Sequence, residues 1–582
     1  MFPRATSILS ASSLAGFNNS LAYAWFVLVL GLPAHLLANA LPPAIMTFRA
    51  PEPGHPSLVP TKTVVVTILC HLLLFGALYA YKRGFVFAEA LYFEDLIYRM
   101  SVGAVPFVDV HFFYGPLLLY PAAFLSHAMS IEAAYAIYYI AVYAIGLYFL
   151  FVVLAWLVPA RKEADGWFLV FALGFFNPYT GLNYTLVRHL LPVIVLVATW
   201  WYVRKINGLR MAAVLALVFF ALTYSSEIGL VTLISVGTFS TLWIIHLKPR
   251  AKVGSVIAAH LAPPILAVAV LGAVFYWIDP NLHALRSYIQ PIFTFSSGGW
   301  STPIDPSLPM LTMIVLTVVV GAVALRALRG QPWGEASCWL TAYGLMVILM
   351  QRAAFGKADV VHIVYSGLPL YLLSVRVCSS CDGRDAWRKG LRYLLIVGLI
   401  GPLQLFHVMQ YAPFLEKYFV EPPAQQSSHP AGRIRPNKEA IQASIVRAVE
   451  HFGSDQLYYM HKLEYYRLPV YTRLHLRPVL YYPSLTSAFT QEDIQEVIRE
   501  LRTANIIVIA LRRDLAEEVH SQDGGLHWLH YMMSFPLSGS SVFDLTLQFQ
   551  AKLETPLSEF LKSSYEVQFE DGEVLALVPR NL

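Results

Sequence analysis

Four carboxylates lie in one short stretch of the chain between hydrophobic segments, where they could carry out acid/base chemistry. An apolar run at 63–81 leads into this stretch, and a second run at 113–129, bounded by Gly115-Pro116, leads out of it. We expect the second run to form an interfacial amphipathic helix and not a span. Carboxylates are costly beside a bilayer, so a cluster of them in that position indicates a function. One of them could take the proton of a reacting hydroxyl group. The candidates for catalysis are Glu89, Glu94, Asp95 and Asp109.

A second group of polar residues interrupts the apolar segments further along the chain. Three of its members are cations that could bind a phosphate through charge-assisted hydrogen bonds, namely Arg188, Arg352 and Lys357. The other candidates for the same cavity are Tyr184, His189, Glu227, Asp359 and His362. Structural alternatives stay open at this point. Arg188 can anchor its helix at the membrane interface, and Glu94, Asp95 and Arg99 can form a solvated helix face.

The composition predicts that these residues belong to a polytopic α-helical membrane protein. The chain has 582 residues, of which 57% are hydrophobic and 13% charged, and its mean hydropathy is +0.56. Soluble domains carry about 25% charged residues. Since a crossing needs about 20 apolar residues, we expect about 11–13 spans, with these candidates: 21–44, 63–81, 132–158, 167–177, 190–203, 211–224, 228–247, 253–277, 309–325, 336–351, 361–375 and 393–411.

The net charge of +5 gives no reason to invoke nucleic acid as a partner, because the basic residues lie in short loops between spans. From Arg99 onward, fifteen Lys and Arg residues fall in one set of loops and five in the opposite set. Loops rich in Lys and Arg are cytoplasmic. The acidic loop and the C-terminal part are therefore expected outside the cytoplasm. Whether the first span fully crosses, and so the side of the N-terminus, stays open.

The predicted organisation has four parts. They are an N-terminal segment with one span (1–61), a membrane domain with an outer loop at 82–131 (62–412), a linker (413–436) and a small extracytoplasmic α/β domain (437–582). In the last part we expect helices at 437–452 and from Thr490, strands at 456–460 and 505–511, and a hairpin at 565–578 that turns at Asp571-Gly572. It has no phosphate-binding loop, hydrolase or metalloprotease motif, so the chemistry is assigned to the membrane domain.

The first loop resembles that of a known family. Its acidic motif is followed by Gly103-Ala-Val-Pro106-Phe107-Val-Asp109 and then by Tyr114-Gly115-Pro116-Leu117-Leu118. This order is similar to that of GT-C membrane glycosyltransferases, above all bacterial enzymes related to protein O-mannosyltransferases and lipid A aminoarabinose transferase. Gly356-Lys357-Ala-Asp359-Val-Val-His362 also resembles a G-R-x-D-x-x-H element of bacterial relatives. The resemblance covers residues 60–410, but Glu89-Ala90 stands where the family has its acidic pair.

The resemblance implies that a sugar is transferred, with inversion, from a polyprenyl-phosphate carrier to a glycan, lipid or protein acceptor. The reaction would take place on the outer face of a bacterial inner (cell) membrane. Asp95 is then the leading candidate for the base and Glu89 its rival by spacing, while Arg188, Arg352 and Lys357 would bind the carrier phosphate. Some members of the family use a divalent metal, and for this chain the cofactor stays unknown.

Two other classes of protein stay open beside the transferase. A flippase or transporter of lipid-linked sugars would need polar residues near the middle of the membrane, whereas the charges here cluster towards one edge. A cell-surface polysaccharide polymerase or ligase would share the carrier lipid.

Overall fold

The computed structural model describes residues 19–41, 59–82, 88–176, 181–247, 253–296, 301, 308–330, 332–357, 360–380, 386–401, 404–405, 438–453, 455–461, 463–483, 488, 490–512 and 555–580. Eight described helices are long and apolar enough to cross a membrane, and two shorter apolar helices lie among them. The prediction of a polytopic helical membrane protein is confirmed. The expected count of about 11–13 is higher because it includes short segments such as 167–177, which lies mostly within a 14-residue helix.

The membrane domain contains sixteen described α-helices. In chain order they are α1 (Asn19–Ala40), α2 (Lys62–Lys82), α3 (Ala88–Ser101), α4 (Tyr120–Leu125), α5 (Ile131–Leu157), α6 (Arg161–Gly174), α7 (Leu186–Arg204), α8 (Gly208–Tyr224), α9 (Ser226–Leu247), α10 (Val253–Ile278), α11 (His283–Ser296), α12 (Leu308–Gly330), α13 (Glu335–Lys357), α14 (Val360–Ser366), α15 (Leu368–Ser380) and α16 (Ala386–Tyr393), which a π-helix over Leu394–Ile400 continues.

One end of the helix bundle collects the arginines of the loops that were predicted to be cytoplasmic, and it is called the arginine end below. There Arg204 pairs with Glu335 between α7 and α13, with 2.9 Å from Nη2 to Oε2. Arg392 pairs with Glu163 at 2.8 Å. The structure thus groups at one end residues that the Lys/Arg count had assigned to one side.

The opposite end, called the loop end, carries α3, α4 and the beginnings of α7 and α9. The first turn of α1 also lies there, since Asn19 Nδ2 donates to the carbonyl oxygen of Phe355, 2.8 Å away near the end of α13. The last turn of α1 lies at the arginine end, where Arg329 donates to Asn39 Oδ1 at 2.7 Å. α1 therefore runs the full length of the bundle, and its first turn shares the side of the acidic loop.

Gly115 allows the outer loop to lie directly on the last turn of α8. Its amide donates to the carbonyl oxygen of Tyr224 (3.2 Å), and a Cβ added to it would stand 2.0 Å from the carbonyl oxygen of Thr223. After this contact the chain forms a 3-10 turn over Pro116–Leu118 and the short helix α4. The single interfacial helix predicted over 113–129 is wrong, because only Tyr120–Leu125 of this segment is α-helical.

The C-terminal domain contains a four-stranded sheet of order β1-β2-β4-β3, which confirms the predicted small α/β domain. Its strands are β1 (Tyr458–Met460), β2 (Ile507–Leu511), β3 (Tyr565–Asp571) and β4 (Val574–Pro579), with β1 and β2 parallel and the other pairs antiparallel. Its helices are α17 (Lys438–Phe452), α18 (Glu464–Leu474) and α19 (Gln491–Ala504), and residues 555–564 are also helical. The linker predicted at 413–436 lies outside the described residues.

Most of these elements follow the predicted pattern. Thr490 and Asp493 form a reciprocal capping box at the start of α19, and the β3–β4 hairpin turns at Gly572, whose φ is +61°. Helix α18 was not predicted, and it contains Pro469, a residue that usually ends a helical pattern.

The sheet buries apolar side chains on both faces. Val508 and Ala510 belong to the core under α19, whereas Ile507 and Ile509 belong to a second core under α17. That second core also contains Tyr98 of α3. The hydrophobic core of the C-terminal domain therefore continues into the outer loop.

Candidate functional site

Helix α3 holds two of the candidate carboxylates on either side of an apolar stripe. Phe93, Leu96 and Ile97 are fully buried against the membrane helices. Successive residues of a helix point about 100° apart, so Glu94 and Asp95 leave this stripe in different directions. Their neighbours differ accordingly, because Glu94 faces Glu132 and Tyr79 whereas Asp95 faces Arg99 and Tyr471.

Asp95 is buried and bound to Arg99, one helical turn further along. The Arg99 Nε atom donates to Asp95 Oδ2 at 3.0 Å, and both side chains are about 5% exposed. The other carboxylate oxygen, Oδ1, is buried and has no hydrogen-bond partner among the described residues. The carboxylate is thus held at one oxygen, while its other oxygen is buried without a described partner.

Glu94 has a different electrostatic environment from that of Asp95. Burial, and to a lesser extent the nearby Glu132 carboxylate, raises the pKa of its carboxyl from 4.5 to about 8. At neutral pH the group therefore carries its proton for most of the time. This neutral carboxyl can donate a hydrogen bond, in contrast to the ion-paired Asp95.

Asp109 closes a turn in the outer loop. Its Oδ2 accepts from the amide of Val105 at 2.8 Å, and its own amide donates to the Val105 carbonyl oxygen at 2.9 Å. The turn places Phe107 at a φ of +70° and inserts its ring between Phe112, Phe275 and Tyr288. Asp109 itself is exposed, so the geometry gives it a structural contact and shows no catalytic one.

Arg188 is the centre of the polar cluster at the loop end. Its guanidinium donates to the carbonyl oxygen of Asn183 (2.8 Å), to Ser225 Oγ (3.3 Å) and to Glu227 Oε2 (3.3 Å). It also lies over the ring of Tyr114, 4.9 Å from the centroid. The side chain of Arg188 is 9% exposed and that of Glu227 is 31% exposed. A membrane-buried guanidinium is thereby fixed beside a carboxylate that reaches the surface.

Arg352 belongs to the same cluster. It approaches from the last turns of α13, donates to Ser20 Oγ at 3.4 Å and interacts electrostatically with Glu227. Together Arg188, Arg352 and Glu227 carry two positive charges and one negative charge. The three form a site that suits an additional anion.

Aromatic and imidazole groups lie beside this cluster. The Tyr184 hydroxyl contacts His362 Nε2 at 2.8 Å, and the His189 ring lies 5.1 Å from the ring of Tyr365. His189 is buried, and neither of its ring nitrogens has a hydrogen-bond partner among the described residues. The structure therefore brings Tyr184, His189 and His362 together.

A stack of rings joins the cluster to the acidic helix. The ring of Tyr114 contacts the guanidinium of Arg188 on one side and lies 6.3 Å from the ring of Phe93, nearly parallel to it, on the other. Phe93 immediately precedes Glu94 and Asp95. The rings of Tyr114 and Phe93 thus connect Arg188 with the helix that carries Glu94 and Asp95.

Three candidates lie partly or wholly outside the described residues. The side chains of Glu89, in the first turn of α3, and Lys357, the last residue of α13, lie outside the described part of the chain, as does the whole of Asp359. Within the described residues, no group of three or more His, Cys, Asp or Glu side chains could hold a metal ion.

Sequence reasoning missed several members of the site. Asn183 and Ser225 hold Arg188 and carry no distinctive motif. Tyr114 stood in the quoted Tyr114-Gly115-Pro116 motif but was assigned no contact. An aromatic residue beside a Gly-Pro pair, which favours a tight turn, could have been recognised as a member of the site. The carbonyl oxygen of Leu480, which accepts from Arg99 at 3.0 Å, comes from a distant part of the chain.

No protein-family model and no curated protein matches the chain. Among solved structures, it is similar to ArnT from Cupriavidus metallidurans bound to undecaprenyl phosphate, with a TM-score of 0.46, 11% identity and coverage of 89% of this chain and 98% of that one. It is also similar to the oligosaccharyltransferase AglB from Archaeoglobus fulgidus, with TM-scores of 0.43 and 0.45, 10% identity and coverage of 77% and 69%. ArnT and AglB are GT-C fold glycosyltransferases.

Proposed function

We propose that the protein transfers a glycosyl residue from a polyprenyl-phosphate-linked donor to an acceptor at the loop end of the bundle, with inversion. The observation that carries the proposal is the cluster in which the buried Arg188 and the partly buried Arg352 share Glu227. Its excess positive charge lies at the edge of the membrane core, where the phosphate of a lipid carrier would lie while the tail stays among the helices. The lipid class itself is proposed from the resemblance of the first-loop motifs.

The cations serve the leaving group in this mechanism. As the bond between the anomeric carbon and the phosphate oxygen breaks, its electron pair and negative charge pass to the phosphate. Preorganised guanidinium groups stabilise charge that develops at such a position. Arg188 and Arg352 bind the phosphate, and Lys357 joins them in the same role.

Asp95 acts as the base. Its Oδ1 takes the proton of the acceptor hydroxyl, the acceptor oxygen forms the new bond to the anomeric carbon, and polyprenyl phosphate leaves from the opposite face. Arg99 holds Oδ2 and so fixes the orientation of the carboxylate. Glu94 is assigned no proton-accepting role, since a pKa of about 8 keeps it protonated at neutral pH.

The acceptor is a glycan, lipid or protein on the outer side of a bacterial inner membrane. This location is supported by the grouping of the Lys- and Arg-rich loops at the end opposite to the acidic helix. The C-terminal domain then also lies outside the cytoplasm.

Purified protein in liposomes, given a polyprenyl-phosphate sugar and pools of candidate acceptors, tests the proposal. We expect release of polyprenyl phosphate and appearance of a glycosylated acceptor whose anomeric configuration is opposite to that of the donor. The Asp95→Asn variant serves as the matched control, because it keeps the volume of the side chain. Movement of the lipid across the bilayer with no cleavage for any acceptor would contradict the proposal and support a flippase.

A further inference from the structure

The acidic helix α3 is held from two sides, by the membrane domain and by the C-terminal domain. Its apolar stripe packs on the membrane helices, and its opposite side meets the segment between α18 and α19. Tyr98 and Arg99, which follow the carboxylates on the same helix, make this second set of contacts.

Tyr98 connects α3 to the end of α18. Its hydroxyl lies 2.9 Å from the carbonyl oxygen of Tyr471 and 2.8 Å from that of Leu476, and its proton can be donated to either. Its ring stacks on that of Tyr471, with 5.9 Å between centroids and an angle of 13°. Tyr98 is buried within the core that includes strand β2, so the last turn of α3 packs into the C-terminal domain.

Arg99 connects the same domain to the base. One guanidinium holds Asp95 through Nε and the carbonyl oxygen of Leu480 through Nη1, both at 3.0 Å. A neighbouring backbone contact, from the His111 amide to the carbonyl oxygen of Tyr481 at 2.7 Å, ties the rest of the outer loop to the same segment. The orientation of the Asp95 carboxylate therefore depends on where segment 471–483 lies.

We propose that the C-terminal domain sets the position of the catalytic base, with Tyr98 and Arg99 as positioning residues. The inference rests on the proposed function, and it gives this domain a role in the reaction although it carries no catalytic motif. A misplacement of the order of 1 Å at a reacting group can cost roughly 10²-fold in rate. An arginine fork held at both ends resists such a displacement better than a flexible lysine does.

The first test removes only the Tyr98 hydroxyl. Tyr98→Phe keeps the ring in its stack, and we expect kcat to fall roughly tenfold while KM for the donor stays within twofold. The matched control is Tyr565→Phe, because the Tyr565 hydroxyl likewise lies near two backbone carbonyl oxygens, those of Ile506 (3.0 Å) and Leu501 (3.3 Å), but inside the C-terminal domain and away from α3. The control should lower Tm as much as Tyr98→Phe does and leave kcat unchanged.

The second test changes the guanidinium. Arg99→Lys keeps the positive charge but cannot span Asp95 and Leu480 with one rigid group, so kcat should fall with KM unchanged. An equal loss of kcat in Tyr98→Phe and Tyr565→Phe, or full kcat in both Tyr98→Phe and Arg99→Lys, would overturn the proposal.

Hydrogen exchange of the α3 amides separates this inference from the proposed function. Faster exchange across 88–101 in Tyr98→Phe than in Tyr565→Phe supports the anchoring of α3, and equal exchange in the two variants overturns it. If wild-type protein cleaves no donor, the proposed function fails, and the exchange experiment still decides whether the domain positions this helix.

Discussion

The two ends of the helix bundle use charged residues in different ways. At the arginine end both partners of an ion pair are partly exposed, with side-chain exposures of 29% and 25% for Arg204 and Glu335. At the loop end Asp95 and Arg99 are each 5% exposed, and Arg188 is 9% exposed. Exposed pairs contribute about 0–1 kcal/mol and are screened by salt, whereas a charge buried at the membrane edge is costly.

From this contrast we expect the charges at the arginine end to serve orientation and those at the loop end to serve chemistry. Either partner of the Arg204–Glu335 pair can be solvated when the other is lost, so the pair mainly marks a side of the membrane. Arg188 has fixed partners on three sides and cannot be solvated freely. The predictions below test this difference, in order of decreasing effect.

The largest effect is expected at Asp95. Asp95→Asn removes the proton acceptor at nearly constant volume and should lower the transfer rate by about 10²–10⁴-fold. Glu94→Gln is the comparison, because an amide resembles the protonated carboxyl that Glu94 carries at neutral pH, and it should retain activity. Rates of polyprenyl phosphate release in detergent provide the measurement. An active Asp95→Asn beside a dead Glu94→Gln or Glu89→Gln would move the base to that other residue.

The next effect compares two arginines that look alike locally. Arg188 lies over Tyr114 and pairs with Glu227, while Arg204 lies 4.3 Å from the centroid of Trp200 and pairs with Glu335. Arg188→Ala should weaken both donor binding and turnover by about 10–100-fold, the equivalent of one charge-assisted contact. Arg204→Ala should change neither. Equal losses in the two variants would mean that the loop end holds no special anion site.

A smaller effect concerns stability and pH at Glu94. Because its folded-state pKa of about 8 lies above the unfolded value of 4.5, the group contributes stability that is complete below pH 4.5 and is lost as pH rises through about 8. The Tm of wild-type protein should therefore decline over this window more steeply than that of Glu94→Gln. Thermal unfolding in detergent at several pH values measures this. Identical slopes would contradict the buried environment assigned to Glu94.

The smallest effect is expected at Asp109. Its contact with the Val105 amide needs only an oxygen acceptor, which an asparagine also provides. Asp109→Asn should keep both activity and Tm, whereas Asp109→Ala should cost about 0.5–1.5 kcal/mol through the lost hydrogen bond. Transfer assays and thermal unfolding of the two variants distinguish the cases. If the Asp109→Asn variant were inactive, Asp109 would again be a candidate catalytic residue.

The sequence was sufficient for features that depend on local pattern. Apolar stretches gave the membrane helices, Thr490 and Asp493 gave the start of α19, and the asymmetry of Lys and Arg gave the two ends. The alternative of a solvated helix face for Glu94, Asp95 and Arg99 was right about the helix and wrong about the solvent, because all three residues are buried.

The features that the sequence did not predict depend on contacts between distant segments. The pairing of Arg188 with Glu227 joins the starts of two helices, and its distance follows from how α7, α8 and α9 pack. Nothing local to Asp95 indicates that Leu480, 385 residues further along the numbering, would fix its ion-pair partner. The close approach of Thr223 to Gly115 is a long-range contact of the same kind, and nothing local to Gly115 predicts it.

The contact at Gly115 has a consequence for the genetics of this protein. Any other residue there would place a carbon against the Thr223 carbonyl oxygen, so the loop would lift from α8 and carry Tyr114 away from Arg188. In a library of random missense variants, Gly115 should therefore be as intolerant as the reacting residues themselves. A map of tolerated substitutions would show Gly115 as intolerant although it has no side chain that could bind a substrate. From that map alone, Gly115 would be mistaken for a binding residue.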